Sequence, residues 1–215
     1  MKSNLFLRVI SVLLAVLFIG HTADARVNPP AAQLWAEQNG KLLLDTFQEP
    51  DIAKRYQVLD KLLLQYVDLP YIGKFLMGKY WRTMTTAQQT EYQELFRRYA
   101  LALYKTFPLD FANQLSYDFG QAYEDGSFTI VPAAIHLNLG DKPQDLLMQF
   151  RLHGTDTDIK LVDIKLAESS LILSYRSRFY QMIADNDGEI EWFLENLQSL
   201  ADSMEQLNSD AASSL

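Results

Sequence analysis

Few side chains in this sequence are spaced for bond-making chemistry, and the nearest candidates sit in "RLHGTDTDIKLVDIK" (151–165). An imidazole at His153 or a carboxylate at Asp163, held in an apolar cavity with a shifted pKa, is what acid–base catalysis on a small substrate would need. Alternation argues against Asp163, since Val162 and Ile164 take the opposite face and leave it pointing outward. His136 and His153 both fall in alternating, strand-like stretches. Neither has HExxH or paired-ligand spacing, and the chain contains no cysteine to complete a zinc site. No GxSxG elbow and no Gly-rich phosphate loop is present. "DNDGEIEWFLE" (185–195) resembles a calcium loop only briefly, because Gly188 follows Asp185 and Asp187 too early for the EF-hand order. A turn followed by acids at a helix N-terminus accounts for it better.

The remaining polar feature is a pair of arginines in "AESSLILSYRSRFYQMI" (167–183). From Ser169 to Tyr175 the pattern is β-like, with Leu171, Leu173 and Tyr175 on one face. From Tyr175 onward the apolar residues recur at helical spacing, through Phe179, Met182 and Ile183. Arg176 and Arg178 sit at this junction, placed either to meet an anion or to solvate a strand-to-helix hinge.

Composition narrows the class of function. Lys2 and Arg8, the apolar run Val9–Gly20 and Ala23-Asp24-Ala25 form the pattern of a secretory leader cut after Ala25. The run is shorter than the about 20 residues that span a bilayer. The chain then reads as an exported protein, free of a thiol-linked lipid anchor, that holds together by packing alone. Its 27 acids against 19 Lys and Arg give a net charge of −8. Such an acidic chain is a poor partner for nucleic acid, where contact needs clustered cations. The surplus is apolar: 11 Tyr, 12 Phe and 3 Trp exceed what one core of this size requires.

Periodicity predicts helices, then strands, then helices. Helices are expected over 30–48, 51–68, 69–84 and 86–107, the last with a Thr85/Gln88 capping box and stopped by Pro108. Strands are expected over 116–123, 128–138, 145–153 and 159–166. Their short connections favour an antiparallel meander. Pro132, inside one strand, predicts an edge position or a bulge. The final helix is expected over 189–207, and 209–215 as a frayed tail. The result is one α+β domain, 26–208, with a curved antiparallel sheet of about four strands packed against helices and an apolar pocket between them. The stretch 71–81, apolar over most of its circumference, is either central core or lines that pocket.

Two motifs carry a family resemblance. "VDLPYIGKFLMGKYWRTMTTAQQTEYQELFRRYALALY" (67–104) is similar to the signature of the MlaC, or toluene-tolerance, family of bacterial periplasmic phospholipid-binding proteins, at Gly78, Tyr80, Trp81, Arg82, Thr85, Gln88 and Phe96. "VDIKLAESSLILSYRSRFYQMI" (162–183) resembles its second motif at Asp163, Ser170, Leu171, Tyr175, Arg176 and Phe179. Met77 and Met84 depart from the pattern, as do Ile159 and Lys160 in place of Trp-Lys. Ala167-Glu168 stand where the family has Glu-Gly, so that Glu168 occupies a backbone-permissive position.

The resemblance implies a phospholipid carrier with no cofactor and no catalysis, monomeric, its cargo moving between an outer-membrane lipoprotein complex and an inner-membrane ABC transporter with its own periplasmic lipid-binding subunit. It also implies a role in outer-membrane lipid asymmetry. One buried methylene contributes about 0.8 kcal/mol, so a long acyl tail supplies about 10 kcal/mol without a charged clamp. The tail-contacting residues expected are Phe75, Leu76, Tyr80, Tyr104, Phe107, Ile135, Phe150, Leu152, Ile164, Leu173 and Tyr175. Arg176 has two readings, a structural tie or a group at the pocket mouth near a lipid phosphate. Two alternatives stand beside the carrier. One is an enzyme of the nuclear-transport-factor-like cone type, using Asp163 or His153. The other is a periplasmic docking adaptor with an exposed apolar patch and no cavity.

Overall fold

The computed structural model describes residues 26–106, 115–137 and 144–213. Four helices come first, and short polar side chains start each of them. Asn28 accepts from the Ala31 N–H to open α1 (Pro29–Phe47), and Asp51 accepts from the Lys54 N–H to open α2 (Ile52–Tyr66). Asp68 accepts from the Tyr71 N–H to open α3 (Leu69–Met77), with Pro70 in its first turn. The expected capping box is present on α4 (Thr86–Leu103): Thr85 Oγ1 accepts from the Gln88 N–H, and Gln88 Oε1 accepts from the Thr85 N–H. The helix expected over 69–84 breaks at Gly78, whose φ of +47° is a backbone state that side chains disfavour. A single 3₁₀ turn, Tyr80–Arg82, continues the chain. A second 3₁₀ turn, Tyr104–Thr106, follows α4.

Among the described residues the sheet is antiparallel and has six strands rather than about four: β1 (Leu115–Phe119), β2 (Tyr123–Asp125), β3 (Phe128–Leu137), β4 (Gln144–Thr155), β5 (Asp158–Leu166) and β6 (Ser169–Ser170). Their order is β1-β3-β4-β5-β6, with β2 also paired to β3. The strand expected over 116–123 divides in two, and Pro132 explains the division. Its carbonyl accepts from the Gly120 N–H, so its missing N–H faces the same side. That side is the gap between β1 and β2, where no ladder bond is lost. Pro132 thus lies in an interior strand, at a local edge.

Two helices close the chain, α5 (Leu171–Ala184) and α6 (Ile190–Ser213). The β pattern expected from Ser169 to Tyr175 is cut to the two residues of β6. Ser170 ends it, because its hydroxyl accepts from the Leu173 N–H and caps α5. Leu171 and Leu173 therefore belong to a helix. The last helix also runs through Ser213, past the Leu207 at which its apolar spacing stops.

Side chains sort into two hydrophobic cores. One is helical and joins α3, α4, α5 and α6 through Leu76, Met77, Tyr92, Phe96, Tyr99, Phe179, Ile183, Phe193 and Leu197. Its rings interlock, with Phe179 centred 5.2 Å from Phe193 and 6.2 Å from Tyr99. Tyr92 is fully buried, and its hydroxyl donates to the Gly73 carbonyl at 2.9 Å, so its one polar atom is satisfied. The second core lies where α1 crosses the sheet, and holds Val27, Ala32, Ala36, Val131, Leu152 and Ile159.

Candidate ligand-binding face of the sheet

Register determines which strand residues share the face that α1 covers. Val131 pairs with Phe150, Ala133 with Met148 and Ile135 with Leu146, while Tyr117 and Phe119 lie opposite Ile135 and Ala133. On the far side, Phe150 pairs with Ile164 and Leu152 with Leu161. Alternation then makes this whole face apolar. The opposite face carries Ser116, Asp118, His136, Gln149 and Lys165. There His136 binds Asp145 at 2.8 Å and Asp118 at 3.1 Å, and these contacts, Asp145 first, raise its pKa above 6.5.

Helix α1 covers only one end of the apolar face. Gly40 marks the tightest approach, since a Cβ there would press on the Phe119 ring. Beyond that contact, Tyr117, Ile135, Leu137, Met148 and Ile164 are half-buried and lie outside both cores. Apolar side chains shielded from water but not consolidated into a core are a surface that an apolar ligand could complete.

The expected tail-contacting residues do not form one group. Leu76 is buried in the helical core, with Phe75, Tyr80 and Tyr175 packed against it. Leu152 is buried in the sheet core, with Phe150 packed against it. Ile135 and Ile164 lie on the half-buried apolar face. Leu173 is 53% exposed on the outer side of α5, because the segment is helical rather than extended. Tyr104 donates its hydroxyl to Asp60 of α2, and Lys105 also bonds Asp60, so the phenol serves as a tie between α2 and the end of α4. Phe107 lies outside the described residues.

Two cavities among the described residues, of about 260 Å³ and about 510 Å³, are lined by none of these side chains. The first lies between α1, the end of α2 and the β4–β5 turn, beside Trp35, Tyr66 and Ile159. The second lies between α3 and α4, beside Leu69, Trp81 and Gln93.

Tyr117, Leu137 and Met148 of the half-buried face were not among the expected contacts. The alternation Leu115-Tyr117-Phe119 and Leu146-Met148-Phe150 carries the signal for two of them.

Asp163 is not outward-pointing. It is 3% exposed, and its carboxylate accepts from Ser170 Oγ at 2.7 Å and from the Ile172 N–H at 3.1 Å. Asp163 does lie on the face opposite Ile164, paired with Arg151, but the start of α5 packs on that face and covers it. Both carboxylate oxygens are thereby committed to the start of α5, a structural use that suits its dipole. His153 Nε2 meets the Asp68 carboxylate at 2.8 Å, and Asp68 also caps α3. That pair ties the sheet to a helix. Arg176 and Arg178 lie within α5 and not at a junction. Arg176 stacks 4.8 Å from the Phe75 ring centre and donates to the Tyr180 hydroxyl at 3.0 Å.

A family model described as "MlaC protein" matches residues 40–199. The chain belongs to the MlaC protein family. No curated protein matches it. Among solved structures, it is similar to a phospholipid-binding protein from Ralstonia solanacearum determined in complex with a phospholipid. The two share 18% identity at a TM-score of 0.63, over 83% of this chain and 99% of that one. At this identity the likeness establishes the α+β fold. The family match covers residues 40–199, and the neighbour that shares the fold holds a phospholipid.

The family match bears on the departure at Ala167-Glu168. The left-handed residue of the β5–β6 turn is Ala167, with φ of +50°, and not Glu168, which is exposed. The Ala167 N–H donates to the Leu147 carbonyl at 2.8 Å, which holds the turn closed with an alanine in that state.

Proposed function

We propose that this chain is a soluble periplasmic phospholipid carrier. It is exported by a leader cleaved after Ala25, works as a monomer and moves lipid between outer-membrane and inner-membrane complexes to maintain outer-membrane lipid asymmetry. The partners that fit this MlaC-family reading are an outer-membrane lipoprotein complex and an inner-membrane ABC transporter with its periplasmic lipid-binding subunit. The observation that supports it is the half-buried apolar face of Tyr117, Ile135, Met148, Phe150 and Ile164, left outside or at the margin of the two cores. An acyl tail laid on that face gains its affinity from transfer out of water, at about 0.8 kcal/mol per methylene. Such binding needs no fixed charge, and handover needs only that α1 and the sheet separate.

No cofactor enters this reading, and cargo takes the place of a substrate. Asp163 supports it indirectly, since a carboxylate capping α5 with both oxygens is not placed to move a substrate proton. The test is solvent extraction of the purified protein, followed by mass spectrometry of the extract. Phospholipid near one molecule per chain is the expected result. Repeated preparations without stoichiometric lipid, and without uptake from labelled vesicles, would overturn the proposal. Ile135→Trp, which fills the face, is expected to lower the lipid recovered while leaving the fold intact.

A further inference from the structure

One region of this acidic protein is built from two segments that carry no acids, with Asp68 and Asp163 at its edge committed to the starts of α3 and α5. Residues 69–84 and 169–184 contain no Asp or Glu, yet they carry Lys74, Lys79, Arg82, Arg176 and Arg178. These segments adjoin, because α3 packs on α5. Among the described residues none of the five cations has a carboxylate partner. Elsewhere most described cations are neutralised, as in Arg26–Glu124, Arg97–Glu94, Arg98–Asp202, Lys105–Asp60 and Arg151–Asp125. Uncompensated charge gathered on two packed elements is a focus of positive potential.

Within this region three groups are held in place around Tyr180. The Arg176 guanidinium lies 5.2 Å from the Tyr180 ring centre, and Lys79 Nζ lies 5.5 Å from it and 4.8 Å from the Tyr80 ring. The two phenol rings meet edge-on at 5.0 Å. The Tyr180 oxygen accepts from the Lys79 N–H at 2.9 Å and from Arg176 Nη2 at 3.0 Å. Both its lone pairs are then occupied, and its own proton is left for a further acceptor. Gly78 makes this possible, since a Cβ there would occupy the space of the Tyr180 oxygen and the Arg176 guanidinium.

We propose that Lys79, Arg176 and Tyr180 form a receptor for phosphate oxyanions, the ligand being a phosphate ester such as an anionic lipid headgroup, or free phosphate. Arg176 supplies planar N–H donors, Tyr180 one aligned O–H and Lys79 a mobile point charge, a set that suits an ion with several oxygens. Burial pushes the Tyr180 phenol up, but the Lys79 N–H and the Arg176 guanidinium outweigh it and leave its pKa below the ordinary value, which makes the hydroxyl a stronger donor.

The receptor does not depend on lipid carriage, because it uses none of the sheet face. Two probes separate the sources. Flotation of the purified protein with phosphatidylglycerol-containing vesicles, against pure phosphatidylcholine vesicles, reads a headgroup presented on a surface. Titration with inorganic phosphate, followed through the backbone amide NMR signal of position 79, reads the free ion. Binding to either probe, weakened about fivefold by Lys79→Gln, is expected at the value of one cation near an anionic surface. Tyr180→Phe keeps every charge and is expected to weaken it by a similar factor, while Lys61→Gln on α2 leaves it unchanged. Circular dichroism of Lys79→Gln and Tyr180→Phe checks that they fold. Failure of both probes to bind, or binding by Tyr180→Phe equal to that of the unaltered protein, would overturn the proposal. Loss of lipid cargo alone would not.

Discussion

The helical core and the sheet face of this protein are built from similar residues and finished to different degrees. Around Phe179 the rings of Phe96, Tyr99 and Phe193 close on one another, and Tyr92, Phe179, Phe193 and Leu197 are all but inaccessible. On the sheet, Tyr117, Ile135, Met148 and Ile164 are as apolar, but only half removed from water. The helices can satisfy one another because α4 and α6 pack along much of their length. Asn208 donates to the Ala102 carbonyl, and Arg98 bonds Asp202 and Glu205. The apolar face of the sheet has α1 over one end only, while α2, α3 and α5 meet the sheet at β5. What the comparison teaches is that the closed core and the face proposed to take lipid occupy separate places in this fold.

The comparison breaks most sharply at Phe179. Phe179→Ala is expected to cost about 3–5 kcal/mol in urea unfolding, because its cavity cannot collapse among interlocked rings. Met148→Ala on the sheet face should cost well under half of that, yet lower the lipid recovered. Equal costs would mean that the sheet face is ordinary core.

Asp163→Ala should follow, at about 2 kcal/mol, since it orphans the Ile172 N–H and Ser170 at the start of α5. Amide exchange is expected to rise in the first turn of α5 more than in α6. Thr85→Ala removes one side of the capping box and should cost about 1 kcal/mol, read as a shift in unfolding midpoint. Ala167→Gly is expected to stabilise by less than about 1 kcal/mol, because relief of the left-handed state slightly exceeds the added freedom of the unfolded chain.

The smallest effect belongs to the polar side of the sheet. The raised pKa of His136 means that its pairing with Asp145 and Asp118 stabilises fully below the ordinary imidazole value near 6.5. The contribution fades as pH rises through the higher folded value. Unfolding midpoints of the protein and of His136→Asn should therefore differ at about pH 6 and converge at about pH 9.

Much of this was legible in the residues. The four leading helices and the meander follow from spacing, and the start of α4 from Thr85 and Gln88, all local signals. The family signature was legible too, and it pointed to phospholipid. What was not legible depended on which layer covers a face and where a strand stops. Packing of α5 on β5 buried Asp163, and the cap at Ser170 turned a β-like run into helix, which moved Leu173 to the surface.

By itself, then, the sequence determined the order and type of the elements, because periodicity and capping act within a few residues of one another. It also determined the acid-free segments and the aromatic surplus. Only the tertiary structure decided how that surplus is divided between a closed helical core and an open sheet face, and which residues fall on each side. It alone brought Lys79 to Arg176 and Tyr180, about a hundred positions away. Pairing across such separations depends on register and on how much of one layer another can cover. No local pattern in the chain encodes either.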